Sequence, residues 1–211
     1  MTPENPDKPP HQRPELPDFW EHRFRSGCTP WETAEAPSAL RDFVHRLAGA
    51  TPAAEPLPRV LVPGCGNAAD AAFLDRCGWR VTALDFSAAA VERARATLGE
   101  GWRGTLLCAD FFALEDEAPF DIVIERAFLC ALPRARWPDY AQRMRALLRP
   151  GGLLAGCFYH SGEMRGPPFG LQPGQLAELL GTHFDCREDR PITESLPVFA
   201  GGERWQVWVR R

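Results

Sequence analysis

From Arg59 onward the chain alternates between short, continuously apolar runs and longer stretches in which apolar residues recur every three or four positions. The short runs predict strands at Arg59–Val62, Arg80–Asp85, Thr105–Ala109, Phe120–Glu125 and Leu153–Tyr159, and the periodic stretches predict helices at Ala68–Arg76, Ala88–Leu98 and Trp137–Leu148. Strands apolar on both faces and separated by helices belong to a parallel sheet covered on both sides. The end of the chain differs, because His183–Arg190 and Arg204–Arg210 read as strands with no helix between them, which implies an antiparallel edge. The expected fold is α/β and doubly wound, a mostly parallel seven-stranded sheet with an antiparallel C-terminal edge.

Ahead of this core, Asp18–Arg25 predicts a short helix with Asp18 as its N-cap, and Leu40–Leu47 a second helix ending in a Pro- and Ala-rich linker at Gly49–Pro58. Met1–Pro17 is hydrophilic and broken by Pro3, Pro6, Pro9, Pro10, Pro14 and Pro17. It reads as an unstructured leader, with neither the apolar region of a secretory signal nor an Arg-rich amphipathic pattern. The organisation expected is a disordered leader over residues 1–17 and one domain over 18–211, whose N-terminal part, 18–58, is a lid segment on the alternating core.

Composition narrows the function. The chain has 211 residues, 45% hydrophobic and 25% charged, which suffices for one globular core, and it has no apolar run long enough to span a bilayer. Its net charge of -4 gives no global basic field for a phosphate backbone, so neither nucleic acid nor membrane is an expected partner. Seven cysteines are scattered without a C-x-x-C pair or a His at ligand spacing, which argues against a metal site or a disulfide framework and for the reducing cytoplasm. A monomer is expected.

The chemistry-bearing text begins where the first strand runs into Val62-Pro63-Gly64-Cys65-Gly66-Asn67-Ala68-Ala69-Asp70. Glycines at a strand-to-helix junction let a ligand approach the backbone and the free N–H groups of the helix. Alone, the turn also satisfies a nicotinamide fingerprint. Asp85 closes the second strand at the distance where an acid accepts hydrogen bonds from ribose hydroxyls, so an adenosine-containing ligand is expected. Cys108-Ala109-Asp110-Phe111-Phe112, Phe120–Arg126 and Leu148-Arg149-Pro150-Gly151-Gly152 then favour a methyltransferase over a dehydrogenase, for which no separate substrate domain remains.

Together with Phe19-Trp20-Glu21-His22-Arg23-Phe24, Thr29-Pro30-Trp31-Glu32, Phe128–Leu132, Arg136-Trp137 and Gly166-Pro167-Pro168-Phe169, these segments resemble the thiopurine S-methyltransferase family, from Phe19 to the C-terminus. The resemblance implies a Rossmann-like methyltransferase fold and S-adenosyl-L-methionine as cofactor, with S-adenosyl-L-homocysteine as product. It implies that Trp20, Phe24 and Trp31 form an aromatic lid over the cofactor, that Gly64 approaches its methionine end with Arg126 nearby, and that Asp85 holds the ribose. Asp110 and Phe111 would lie at the adenine, and Gly66 and Phe86 would complete the cofactor site. Phe24 stands where the family usually has tryptophan, Ala68 where many methyltransferases have a third glycine, and Val62 where a general methyltransferase motif carries an acid.

The expected activity is methyl transfer to a small soft nucleophile such as a thiol, thiopurine, bisulfide or halide. An oxygen or nitrogen acceptor on a small natural product, and a module that binds the cofactor without catalysis, stay open at this point. Displacement at a sulfonium carbon needs alignment and a dry pocket more than acid-base chemistry when the acceptor is already anionic. Asp70, Glu125, Tyr159 and His160 sit at the strand ends as possible proton acceptors, and no residue is assigned as catalytic.

Overall fold

The computed structural model describes residues 8–50, 57–115, 118–163 and 165–211. Helices α1 (Pro17–Ser26) and α2 (Ser38–Ala50) precede an alternating core of β1 (Arg59–Pro63), α3 (Ala69–Arg76), β2 (Arg80–Asp85), α4 (Ala88–Leu98), β3 (Thr105–Cys108), β4 (Phe120–Arg126), α5 (Trp137–Leu147) and β5 (Leu148–Tyr159). The chain ends in α6 (Gln175–Leu180), β6 (Phe184–Pro191) and β7 (Glu203–Arg210). One seven-stranded sheet results, in the order β3-β2-β1-β4-β5-β7-β6. The first five strands pair in parallel, while β7 is antiparallel to both β5 and β6, as expected from the sequence.

Alternation along each strand distributes its side chains to two cores. Val60 and Val62 of β1, Ile122 and Ile124 of β4, and Trp205 and Val207 of β7 pack with Leu40, Phe43 and Val44 of α2 and Leu74 of α3. Leu61, Val123 and Trp208 of the same strands face the other way, against Tyr140 and Met144 of α5 and Leu176 and Leu180 of α6. A period of two along the strands and amphipathic helices on each side explain why the strands read as uniformly apolar.

Several boundaries differ from expectation. Helix α1 takes Leu16 as its N-cap and Pro17 in its first turn, because proline's missing N–H costs nothing there, so Asp18 lies inside the helix as a favourable first-turn acid and not at the cap. Strand β5 starts at Leu148 and not Leu153: Phe120 pairs with Leu148 before a register shift carries Ile122 to Leu153, and the Pro150-Gly151-Gly152 text that reads as a turn lies within this irregular stretch. Between β6 and β7 a single 3-10 turn intervenes at Pro197–Phe199. In the leader, Met1–Asp7 lie outside the described residues, whereas Pro10–Gln12 form a 3-10 turn and the Pro14 carbonyl accepts from Trp20 Nε1 at 3.0 Å. Residues 51–56 of the expected linker also lie outside the described residues. Among the described residues, no helix is long and apolar enough to cross a membrane.

Trp205 is buried at 1% exposure and meets the Phe43 ring at 5.5 Å, joining α2 to the sheet. Trp205→Ala is expected to lower unfolding free energy by about 3–5 kcal/mol in urea titrations. A loss below about 1 kcal/mol would show that α2 is not anchored there.

Candidate active site

Strand order reverses between β1 and its two neighbours, since β2 and β3 extend to one side and β4 and β5 to the other. Loops leaving β1 and β4 therefore diverge at their carboxyl ends, and a crevice opens between them. A cavity of about 360 Å³ occupies this place, within the range of small-molecule sites. Trp20, Phe24, Trp31, Gly64, Gly66, Asp85, Phe86, Asp110, Phe111 and Arg126 all line it.

The turn after β1 is built for close approach. Gly64 and Gly66 have φ of +58° and +51°, in the left-handed region, and a Cβ on Gly64 would run into the Phe128 ring. Ala68 holds φ of 60° at the N-cap of α3, where its small side chain tolerates the strain. Asp85, 4% exposed at the end of β2, fastens this turn: its Oδ2 accepts from Gly66 N at 3.1 Å and its Oδ1 from Ser87 N at 3.0 Å. Burial pushes the Asp85 carboxyl up to about 6, opposed by these two backbone donors and reinforced by the Glu32 carboxylate.

The aromatic residues expected to form a lid lie across the other wall. Trp31 meets Trp20 edge-on at 5.6 Å and Phe24 at 6.2 Å, so phenylalanine completes the cluster where tryptophan is usual. Polar contacts tie this layer to the core. Glu21 Oε2 accepts from Ser87 Oγ at 2.6 Å and from Ala89 N at 3.1 Å, capping α4 from a distance. Asn67 Nδ2 donates to the Thr33 carbonyl at 2.8 Å, and Arg126 Nη2 donates to Thr33 Oγ1 at 2.9 Å. Arg126 also pairs with Asp70 at 3.3 Å, and Glu32 with Arg93 at 2.9 Å.

At the far end Asp110 Oδ1 accepts from Phe112 N at 2.9 Å, capping the turn Phe111–Ala113. That leaves its other oxygen for a ligand edge. Phe111 is buried against Phe128 at 5.1 Å, and the Arg136 guanidinium sits 3.9 Å over Phe112. A second, apolar pocket of about 60 Å³ adjoins the cavity and shares Trp20, Trp31, Ala127 and Ala131 with it, and Pro167 and Pro168 also line it.

The candidate proton acceptors separate. Asp70 lines the cavity but is committed to Arg126; burial raises its carboxyl and the guanidinium opposes this. Glu125 is turned away from the cavity into the fold, where Phe128 N, Leu129 N and Tyr140 Oη donate to it at 3.3, 3.1 and 3.2 Å. It shapes the loop carrying Phe128. Tyr159, His160 and Phe169 do not line the main cavity. Asn67 and Phe112, quoted only as motif text, also line the cavity, as do residues with no site reading in the sequence: Thr33, Pro133 and, from the leader, Pro14 and Glu15.

The family model for thiopurine S-methyltransferase matches residues 16–210. The chain belongs to that family. Among relatives, a thiopurine S-methyltransferase of Pseudomonas fluorescens is 34% identical over 90% of each chain. A probable thiol methyltransferase of Arabidopsis thaliana is 32% identical over 76% of this chain and 70% of its own. In fold, the chain is similar to a magnesium protoporphyrin IX methyltransferase of Synechocystis solved with bound cofactor, with a TM-score of 0.73, 17% identity, and coverage of 98% of this chain and 100% of that one. A thiopurine S-methyltransferase family member is an S-adenosylmethionine-dependent methyltransferase, and the cavity fits such a cofactor: a glycine cradle, a buried acid and a cation surround it.

Glu125 supplies a pH test. Burial, opposed by its hydrogen-bond donors, raises its carboxyl from 4.5 to about 7. The folded form therefore binds a proton that the unfolded chain releases, so this stability is fully present below about 4.5 and is lost as pH rises through about 7. Between pH 5 and 8 the protein is expected to lose roughly 1–3 kcal/mol in urea titrations. Glu125→Gln should reduce that slope whatever its own baseline stability, leaving the part carried by the raised Asp85 and Glu203 carboxyls, and an unchanged slope would contradict the assignment.

Proposed function

We propose that this chain methylates small thiol-type acceptors, with the cavity at the sheet's switch point holding S-adenosylmethionine beneath the aromatic lid. One observation carries the reading: the glycine turn, Asp85 and the Trp20-Phe24-Trp31 cluster, which lie far apart in sequence, line one cavity. In it, Asp85 would hold the ribose hydroxyls with its remaining lone pairs, Asp110 and Phe111 the adenine, and Gly64, Gly66 and Arg126 the methionine end. The names of the relatives, a thiopurine and a thiol methyltransferase, support a soft sulfur acceptor. The free cysteines, from Cys28 to Cys186, suit a reducing cytoplasm.

When bound, the cofactor supplies a methyl group on a positively charged sulfur. Held by the glycine turn, Asp85 and Arg126, it would offer that methyl to the acceptor sulfur by in-line displacement, with homocysteine sulfur as the leaving group. Charge is cancelled in this displacement, so walls that exclude water favour it. Trp20, Trp31, Phe111 and Phe128 supply such walls, and the adjoining apolar pocket gives an acceptor a place beside the lid. Of the five described carboxylates that line the cavity, Glu15, Glu32 and Asp70 are ion-paired, and Asp85 and Asp110 accept from backbone donors. These commitments favour an acceptor that arrives ionised, as a thiolate or another anion.

Two outcomes test this. Asp85→Ala should weaken S-adenosylhomocysteine binding in calorimetry by about tenfold or more, since hydrogen bonds to a charged acceptor contribute about 1.5–3 kcal/mol each. An unchanged dissociation constant would remove Asp85 from the site. In methyl-transfer assays, kcat/KM for an aromatic thiol should reach its plateau at lower pH than for an alkyl thiol, whose pKa is about 8.5. A single inflection shared by all acceptors would point instead to an obligatory base.

A further inference from the structure

Glu32 sits in the lid loop directly before Thr33, and its side chain is 13% exposed. Only one of its oxygens is used: Oε2 takes Arg93 Nη1 at 2.9 Å, while Oε1 is fully buried with no hydrogen-bond partner. A buried carboxylate oxygen without a donor is costly and calls for an occupant. It faces the cradle, because a Cβ placed on Gly66 would meet it at 3.4 Å, and Glu32 lines the main cavity. The turn also feels its charge, which adds to the upward shift of both Asp85 and Cys65.

Other acceptors around the turn are committed, Asp70 to Arg126, Asp85 to two backbone donors and Asn67 to Ala69 N. β1 itself ends in Val62 and Pro63, so no acid is offered from the strand. Arg126, meanwhile, donates to the hydroxyl of the next residue, Thr33, which places a cation beside this anion. A free acceptor next to a guanidinium is the complement of an α-amino acid, whose ammonium and carboxylate lie on one carbon.

We propose that Glu32 receives the α-ammonium group of the cofactor's methionine moiety, taking from the lid the role for which the strand provides no acid. The proposal rests on the cofactor reading above. It makes closure of the lid loop dependent on the amino-acid end of the ligand: an ammonium between Glu32 and the glycine turn fills the unpaired oxygen and relieves the repulsion between Glu32 and Asp85. Ligands that keep the adenosine but lack the amine bind without that tie. Arg93 acts only as a positioning residue, neutralising the outer oxygen.

Calorimetry with S-adenosylhomocysteine and with its deamino analogue, which retains the carboxylate and loses only the ammonium, tests this on the full chain. The unsubstituted protein should bind S-adenosylhomocysteine at least tenfold more tightly than the analogue. Glu32→Gln should weaken S-adenosylhomocysteine about tenfold and leave the analogue within twofold, erasing the preference. Arg93→Met breaks the same ion pair but keeps the carboxylate, so the preference should survive. Equal affinity of the unsubstituted protein for both ligands overturns the proposal without any variant, as does a Glu32→Gln protein that weakens both ligands alike or neither. Loss of the preference in Arg93→Met to the same degree would also overturn it, showing that the ion pair merely holds the lid. Failure of the unsubstituted protein to bind S-adenosylhomocysteine at all would instead overturn the cofactor reading itself.

Discussion

The buried carboxylate of Asp85 is the constraint around which the site is arranged. A charge at 4% exposure is expensive to hold unless it is hydrogen-bonded, and here the donors are the backbone N–H groups of Gly66 and Ser87. Those two groups belong to different crossovers, so a single side chain fixes the glycine turn after β1 relative to the start of α4. The adjacent backbone pairings, Cys65 N to the Leu84 carbonyl and Ala109 N to the Asp85 carbonyl, extend the same register across the mouth of the crevice. Without this fastening, a turn with left-handed residues at Gly64, Gly66 and Ala68 would have many conformations to choose from.

The proposed lid is held by a sparser set of interactions, and several belong to residues that also face the cavity. Thr33 takes Asn67 and Arg126, Glu32 takes Arg93, and Glu21 reaches the α4 terminus. Trp20 in turn is tied to Pro14, so the segment preceding α1 forms part of the wall. Contacts of this kind couple two events: a ligand that engages Arg126, Asp85 or Glu32 acts on the same groups that position the lid. In the proposed function the aromatic cluster would exclude water from a displacement that cancels charge, so few acid-base groups would be required.

Much of this was legible in the sequence because it is local. Arg80–Asp85 and Ala88–Leu98 have the same limits in sequence and structure, since the apolar run and the Ser87 cap are short-range signals. The cavity residues from Trp20 to Arg126 were reached through motifs in which each residue's neighbours are informative. What escaped depends on partners distant in the chain. Thr33 and Asn67 are ordinary polar residues until folding brings them together, and Glu125 reads as a strand-end carboxylate until Tyr140 and the Phe128 loop turn it inward. Helix α6 has only six residues between Gly174 and Gly181, too few for the Leu176, Leu179 and Leu180 spacing to stand out. The early start of β5 was hidden by Pro150-Gly151-Gly152, which ordinarily marks a turn.

Hydrogen-deuterium exchange with and without S-adenosylhomocysteine tests the central claim, that the switch-point turn and the lid form one ligand site. Amides of the turn at residues 64–69 and of the lid at residues 14–33 should gain protection together at the same ligand concentration. Protection of the turn with no change across the lid, or no change in either, would contradict it.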